Sequence, residues 1–376
     1  MIDQKRLLER FIRYVKVDSL SKQEGRFAKL IKRELRGLGL PCREDKAGKR
    51  LPGQSGNLFT AIKGNVRGIP RILFNAHLDT VGPGRGIRPR IRKGVITSDG
   101  STILGADNKA GVAVIMEIIR IIKEKKLPHG DIDIIFTVAE EMGLCGSKFI
   151  DKAFMNADLG YVLDGGDVDE IINKAPSQDS LDARIIGRAA HAGVHPEQGI
   201  NAIKVASDAI SRMRLGRIDK ETTANIGIIK GGEATNIVPE TVEIRGEARS
   251  HSRKKLARQV SHMKKALISA CRRYKAKLEC RISSAYRSFE IPLGHKALTI
   301  AKLAAAASGI RPKIKATGGG SDANIFNGLG VPCVIIGVGA DNVHTKKENI
   351  KIKEMAKGAQ FVLNIINESL KCSKKR

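Results

Sequence analysis

The chain has 376 residues, 41% of them hydrophobic, and 67 Lys and Arg against 39 Asp and Glu give a net charge of +28. That length exceeds one ordinary core and suits two domains, and the apolar content excludes a largely disordered chain. Six scattered cysteines (Cys42, Cys145, Cys271, Cys280, Cys333, Cys372) form no CxxC pair, which argues against a disulfide scaffold, and no apolar run reaches membrane-spanning length.

The opening segment, MIDQKRLLERFIRYVKVDSL, alternates charged and apolar positions as an amphipathic helix does, and lacks the apolar stretch of a signal peptide. A cytoplasmic setting is the expectation. Residues 71–79 (RILFNAHLD) form a short apolar run between Gly and Pro signals, read as a buried strand ending at His77 and Asp79. Helical spacing follows over 107–126, where Val112, Ile115, Ile119 and Ile122 make an apolar face. Further strands are expected over 131–141 and 159–164. This alternation implies an α/β fold, a mostly parallel sheet with helices on both faces, in which ligands bind beyond the carboxyl ends of the strands. His77, Glu140, Glu141 and Asp164 fall at those ends.

The rhythm breaks at NKAPSQD. A strand over 180–188, a helix over 199–215, strands over 222–230 and 241–249, a basic helix and a strand over 277–285 then make a βαββαβ unit. Alternation resumes after residue 292 with a helix over 295–307, a strand over 332–338 and a closing helix that ends in a loose basic tail, KCSKKR. The expected domains are 1–177 and 291–376, together one metal-binding catalytic domain, with 178–290 inserted between them. This arrangement returns His344 to the early candidates.

A charge of +28 invites a nucleic-acid reading, because clustered Lys and Arg release counterions from phosphate. Its distribution decides against one. Residues 253–281 hold 11 basic residues and one acid, +10 of the total, and the remainder is spread widely. Within that stretch Leu256, Val260, Met263, Leu267, Cys271, Tyr274 and Leu278 recur every three or four positions, the mark of one helix with a buried stripe and a solvated basic face. With four Tyr, ten Phe and no Trp available for base stacking, nucleic acid is not the expected partner, and no membrane is expected either.

The chemistry concentrates at Glu140 and Glu141 in IIFTVAEEMG, downstream of His77-Leu78-Asp79 and Gly105-Ala106-Asp107 and upstream of Leu163-Asp164 and Val343-His344. Two imidazoles and several carboxylates are the ligand types of a hydrolytic metal site. One glutamate can bind metal while its neighbour, on the opposite side of the backbone, accepts a proton. Paired glutamates are more often a solvated helix face, but these candidates all fall at strand ends or turns. His129, His195, His251, His262 and His295 read as ordinary polar residues.

The motifs HLDT, GADNKAGVA, AEEMGLCGSK, LDGG, RAAHAG, GGEATNIVPE, GEARSHS and GGGSDANIF, in this order, resemble the M20 family of dinuclear metallopeptidases, most of all its peptidase T-like branch. The resemblance spans nearly the whole chain. It implies a zinc-binding α/β domain carrying an inserted lid or dimerisation domain. By that resemblance His77 and Asp164 are ligands of one metal, Glu141 and His344 of the other, and Asp107 bridges both. Asp79 resembles the aspartate that hydrogen-bonds the ligand histidine, and Glu140 the general base. His191 resembles the lid histidine that stabilises the oxyanion, reaching across from the neighbouring subunit in dimeric members. Asn236 and Arg249, joined by Gly319 and Gly320, look like the group that grips the polar end of a substrate.

The cofactors implied are two divalent ions, zinc first, with cobalt or manganese as alternatives. Their four positive charges would be balanced by Asp107, Glu141, Asp164 and a bridging hydroxide, which leaves Glu140 free to move protons. The implied activity is hydrolysis of amide bonds in short peptides by an aminopeptidase, with a homodimer formed through the lid. Two alternatives stay open. One is an N-acyl amino acid amidohydrolase (a deacetylase, desuccinylase or carboxypeptidase-like enzyme) on the same core; the other is a non-catalytic binding protein that uses the basic helix.

Overall fold

The computed structural model describes residues 2–372, so most of the expected basic tail, from residue 373 on, lies outside the described residues. The chain divides into two compact units. The larger comprises the residues up to Lys174, Glu290–Thr317 and those from Ser321 onward; the smaller comprises Ala175–Phe289 with Gly318–Gly320.

In the larger unit, Ile72–His77 and Ile132–Thr137 are buried at all six positions each, as befits strands covered on both faces. They pair in parallel from Ile72 opposite Ile132 to His77 opposite Thr137. Leu159–Gly165 joins the other side of Ile72–His77 in parallel, and Cys333–Gly337 pairs with it, again in parallel. Antiparallel pairs lie toward the margins, where Leu58–Ile62 meets Ile132–Thr137 and Cys333–Gly337 meets Glu170–Ala175. The fold is thus α/β with a mainly parallel central sheet, and the parallel strands all end at one edge.

The helix Ala106–Lys125 packs on that sheet, and it is buried almost all round rather than along one stripe. Its sequence explains this: VAVIMEIIRII offers apolar residues on every side, the pattern of a core helix. Gly111 permits the close approach, since a Cβ there would stand 2.6 Å from the carbonyl oxygen of Leu163. The first turn is irregular. Asp107 (φ −79°, ψ 105°) and Asn108 (φ −120°, ψ 30°) are non-helical, so regular helix begins one or two residues later than the spacing predicts. A separate small sheet orders Ala340–Asp341, Asn349–Lys351, Val95–Thr97 and Arg90–Arg92, and holds both ends of the loop that carries His344.

The smaller unit is an antiparallel sheet in the order Gly216–Asp219, Thr222–Gly231, Thr241–Ser250, Ser177–Ile186, Lys277–Tyr286. Helices Ala202–Ser211 and Arg253–Tyr274 pack against it around Leu181, Ile185, Val205, Val242, Ile244, Met263 and Leu267. Leu256, Val260, Met263, Leu267 and Cys271 of the basic helix are buried, which leaves its cations on the outer face. The predicted helix over 199–215 is cut short. It ends at Ser211 because the backbone of Arg214 is engaged from the basic helix: its N–H donates to Nε2 of His262 (3.1 Å) and its carbonyl accepts from Nε2 of Gln259 (2.7 Å). The chain then forms the extra strand Gly216–Asp219. Among the described residues no helix is long and apolar enough to cross a membrane, and all six cysteines are unpaired.

Candidate metal centre

The carboxyl ends of strands Ile72–His77 and Leu159–Gly165, the entry of helix Ala106–Lys125 and two loops bring His77, Asp164, Asp107, Glu141 and His344 together. Nε2 of His77 lies 3.0 Å from Oδ1 of Asp107 and 3.4 Å from Oδ1 of Asp164. Nε2 of His344 lies 3.2 Å from Oδ2 of Asp107 and 2.9 Å from Oε1 of Glu141. Asp107 therefore faces each histidine with a different oxygen. Two ligand groups result, His77–Asp107–Asp164 and Asp107–Glu141–His344, each with donor atoms within 4.8 Å of one another and sharing one carboxylate. Imidazoles and carboxylates without a thiolate suit a divalent ion such as zinc, manganese or cobalt, and the residues present fit a pair of them. Glu140 enters a third grouping with His77 and Glu141, so it borders the same space.

The strand before the two glutamates stops at Thr137, four residues short of the strand expected over 131–141, and both sit in the turn that follows. Asp79 holds that turn. Its Oδ1 accepts the N–H of Glu140 (3.0 Å), and its Oδ2 accepts the N–H of Glu141 (3.2 Å) and the hydroxyl of Ser21 (2.7 Å). Nδ1 of His77 lies 2.9 Å from the main-chain oxygen of Asp79 and 3.4 Å from its Oδ1. The residue thus orients the histidine mainly through its backbone, and its carboxylate serves the glutamate turn. Ala139, at φ +49°, donates its N–H to the buried Glu24 (2.9 Å), and the hydroxyl of Thr137 donates to the buried Asp322.

Glu24 and Asp322 are supports that the sequence reading missed. Asp322 lies in the motif GGGSDANIF, in which nothing in the residue pattern marks it as buried. Glu24 had no signal, since a lone glutamate in a polar segment reads as exposed.

Burial is the first cause that pushes the Glu140 carboxyl well above the ordinary carboxylate range, and the charge of Asp164 adds to it. Burial likewise raises Asp164 to about 7. Asp107 moves the other way, because hydrogen bonds from His344 and His77 outweigh the burial that would raise it. His344, half exposed, is pushed up to about 10 by Asp107 and Glu141. His77 is raised as well: burial would lower it, and its hydrogen bonds with Asp107 and Asp164 outweigh that effect. Protonated imidazoles offer no lone pair to a metal, so ion binding displaces those protons.

The remaining candidates, His191, Asn236, Arg249, Gly319 and Gly320, all belong to the smaller unit. His191 and Asn236 are exposed on adjoining segments, bridged by His191 opposite Ile237 and by the N–H of Ala192 donating to the carbonyl of Asn236 (2.9 Å). Arg249 sits in a different polar chain. Its Nε and Nη2 donate to Glu247 (2.7 and 3.0 Å), Glu247 accepts from Gln178 (2.9 Å), and Gln178 accepts from the hydroxyl of Tyr286 (2.7 Å). Gly320 lies against the Tyr286 ring, which a Cβ would meet at 2.2 Å. Glu247, two residues from Arg249 on the same strand face, was legible as an i, i+2 partner and was not singled out.

Over residues 73–368 the chain matches the profile of Peptidase family M20/M25/M40. It is 44% identical over 372 residues to YqjE of Bacillus subtilis, a relative described as uncharacterized, covering 99% of this chain and 100% of that one. Among solved structures, aminopeptidase PepT from Bacillus cereus gives a TM-score of 0.87 at 43% identity, with 98% of this chain and 99% of that chain covered. A tripeptidase from Staphylococcus aureus gives a TM-score of 0.93 at 39% identity, with 99% and 100% covered. All five ligand candidates lie inside the matched segment, and the chain belongs to peptidase family M20 and is a peptide hydrolase.

Proposed function

We propose that this chain is a metal-dependent aminopeptidase of short peptides, acting through a dinuclear centre in the larger unit. The observation that carries the reading is Asp107, whose two oxygens face His77 and His344 separately at 3.0 and 3.2 Å, as a carboxylate shared by two ions would. Two bound divalent ions, zinc first and cobalt or manganese as alternatives, would supply a polarised scissile carbonyl and a water that is nucleophilic near neutral pH. His77 and Asp164 would hold one ion, Glu141 and His344 the other, and Asp107 would serve both. Glu140, buried and bordering the same space, takes the proton from the attacking water and hands it to the leaving amine. Asp79 fixes the turn on which that transfer depends.

A short-peptide substrate is supported by two relatives near 40% identity that are described as an aminopeptidase and a tripeptidase. His191 as oxyanion donor, and Asn236 and Arg249 with Gly319 and Gly320 as the grip on the substrate's polar end, rest on the motif resemblance. A homodimer through the smaller unit is supported by the outer half of strand Thr222–Gly231, where Ile228 and Ile229 are 42% and 49% exposed. The cytoplasmic reading rests on six unpaired cysteines. The binding-protein alternative gives way, because the chain is a peptide hydrolase.

A substrate panel tests the aminopeptidase reading against the N-acyl amino acid amidohydrolase. A free tripeptide should lose its first residue, and its N-acetylated form should be cut at least tenfold more slowly. Preferential cleavage of N-acetyl or N-succinyl amino acids would replace the aminopeptidase with the acylase.

A further inference from the structure

Glu348 lies four residues beyond His344 and is 1% exposed, although its neighbours Lys346 and Lys347 are exposed. Its Oε2 accepts the N–H groups of Leu104 (2.8 Å) and Gly105 (2.7 Å), and its Oε1 accepts the N–H of Asp107 (2.9 Å). These donors belong to the irregular entry of helix Ala106–Lys125, where no preceding turn offers them acceptors. An acid in the adjoining sequence would ordinarily fill that need. Here the acceptor comes from 241 residues downstream.

The other end of Glu348 is anchored as firmly. Its own N–H donates to the carbonyl of Thr345 (3.0 Å), closing the turn that carries His344, and the chain passes directly into Asn349–Lys351, which pairs with Val95–Thr97. One side chain thus ties the backbone of Asp107 to the loop of His344. Charge-assisted bonds to three N–H groups hold the join.

We propose that Glu348 is a positioning residue that fixes the Asp107 carboxylate between the two ion sites, so that its loss weakens both sites together. The proposal rests on the dinuclear reading above. Glutamine has nearly the same shape but replaces one acceptor oxygen with an NH2 group, which would face a backbone donor and break part of the join.

Zinc titrated calorimetrically into the metal-free full chain tests this. Glu348→Gln should weaken both binding events by about 10- to 100-fold, the usual effect of losing a group that orients a ligand. The control is Glu117→Gln, which removes another fully buried glutamate, bonded to Arg6 rather than to the ligand loops. It should lower thermal stability and leave zinc affinity within about threefold of wild type. Wild-type zinc affinity at both sites in a folded Glu348→Gln would overturn the proposal while leaving the dinuclear reading intact; a wild-type chain that bound no ion would overturn that reading first. Should Glu348→Gln fail to fold, amide hydrogen exchange on the metal-free wild type decides. Slow exchange at Leu104, Gly105 and Asp107 supports the join, and exchange at the rate of an open loop contradicts it.

Discussion

Oδ1 of Asp79 accepts the backbone N–H of Glu140 at 3.0 Å, so an acid two residues past His77 sets the position of Glu140, the proposed general base, on another segment. Asp79→Asn should therefore disturb metal binding and catalysis together. One acceptor oxygen is lost, and an NH2 group would face an N–H. We expect metal affinity and kcat/KM each to fall by about 10- to 100-fold, measured by metal titration and peptide hydrolysis. A drop in kcat/KM with wild-type metal affinity would confine the Asp79 carboxylate to the placing of Glu140.

The neighbouring glutamates should separate cleanly. Glu140→Ala should retain both ions and lose on the order of 10² to 10⁴ in rate, the usual share of a positioned general base. Glu141→Ala should lose the ion it shares with His344, and Asp107→Ala should lose both. Metal content by elemental analysis beside kcat decides; metal loss in Glu140→Ala with retention in Glu141→Ala would mean the roles were exchanged.

The grouping of His77 and Asp164 was legible in the chain, because these candidate ligands sit where apolar strands stop, and strand ends are visible as breaks in hydrophobicity. His77 is one such case. Glu140 was placed at a strand's end but lies in a turn, since the apolar Val138 and Ala139 prolong the run after the hydrogen-bonded ladder has stopped at Thr137. The supports were not legible. Glu24, Asp322 and Glu348 act through space across long sequence separations, and a buried acid among polar neighbours carries no periodicity. The strand Gly216–Asp219 was hidden for a related reason: MRL looks helical until His262 and Gln259 claim the backbone of Arg214.

Arg249 tests substrate recognition apart from metal chemistry. Glu247 occupies its Nε and Nη2, which leaves the outer edge of the guanidinium for a carboxylate. Arg249→Lys should lower kcat/KM, and Arg249→Ala should lower it by about 10- to 100-fold on free-acid peptides. The loss should shrink on peptides with an amidated carboxyl end. Equal losses on both would assign the arginine to its pairing with Glu247.

Glu24 gives the metal-free protein a pH dependence whose sign is fixed. Burial first, then the charge of Asp79, push its carboxyl from 4.5 up to about 7. The folded state therefore holds this proton more tightly than the unfolded state. Between those two values the folded chain binds more protons, so the Glu24 contribution to stability falls as pH rises from about 4.5 to 7, by on the order of 3 kcal/mol, and is flat above. Urea unfolding of metal-free wild type and Glu24→Gln at pH 5 and pH 8 measures it. The variant should lack this part of the decline; an identical decline in both would exclude Glu24 as its source.

Two ions at the Asp107 centre should be what makes this chain hydrolyse peptides. Tripeptide hydrolysis, followed while zinc is titrated into fully chelated enzyme with bound metal counted at each point, tests it most directly. Turnover should be absent at zero metal and should saturate at two ions per chain, with the first residue and a dipeptide as products. Undiminished hydrolysis after verified metal removal would rule out a metal-dependent centre.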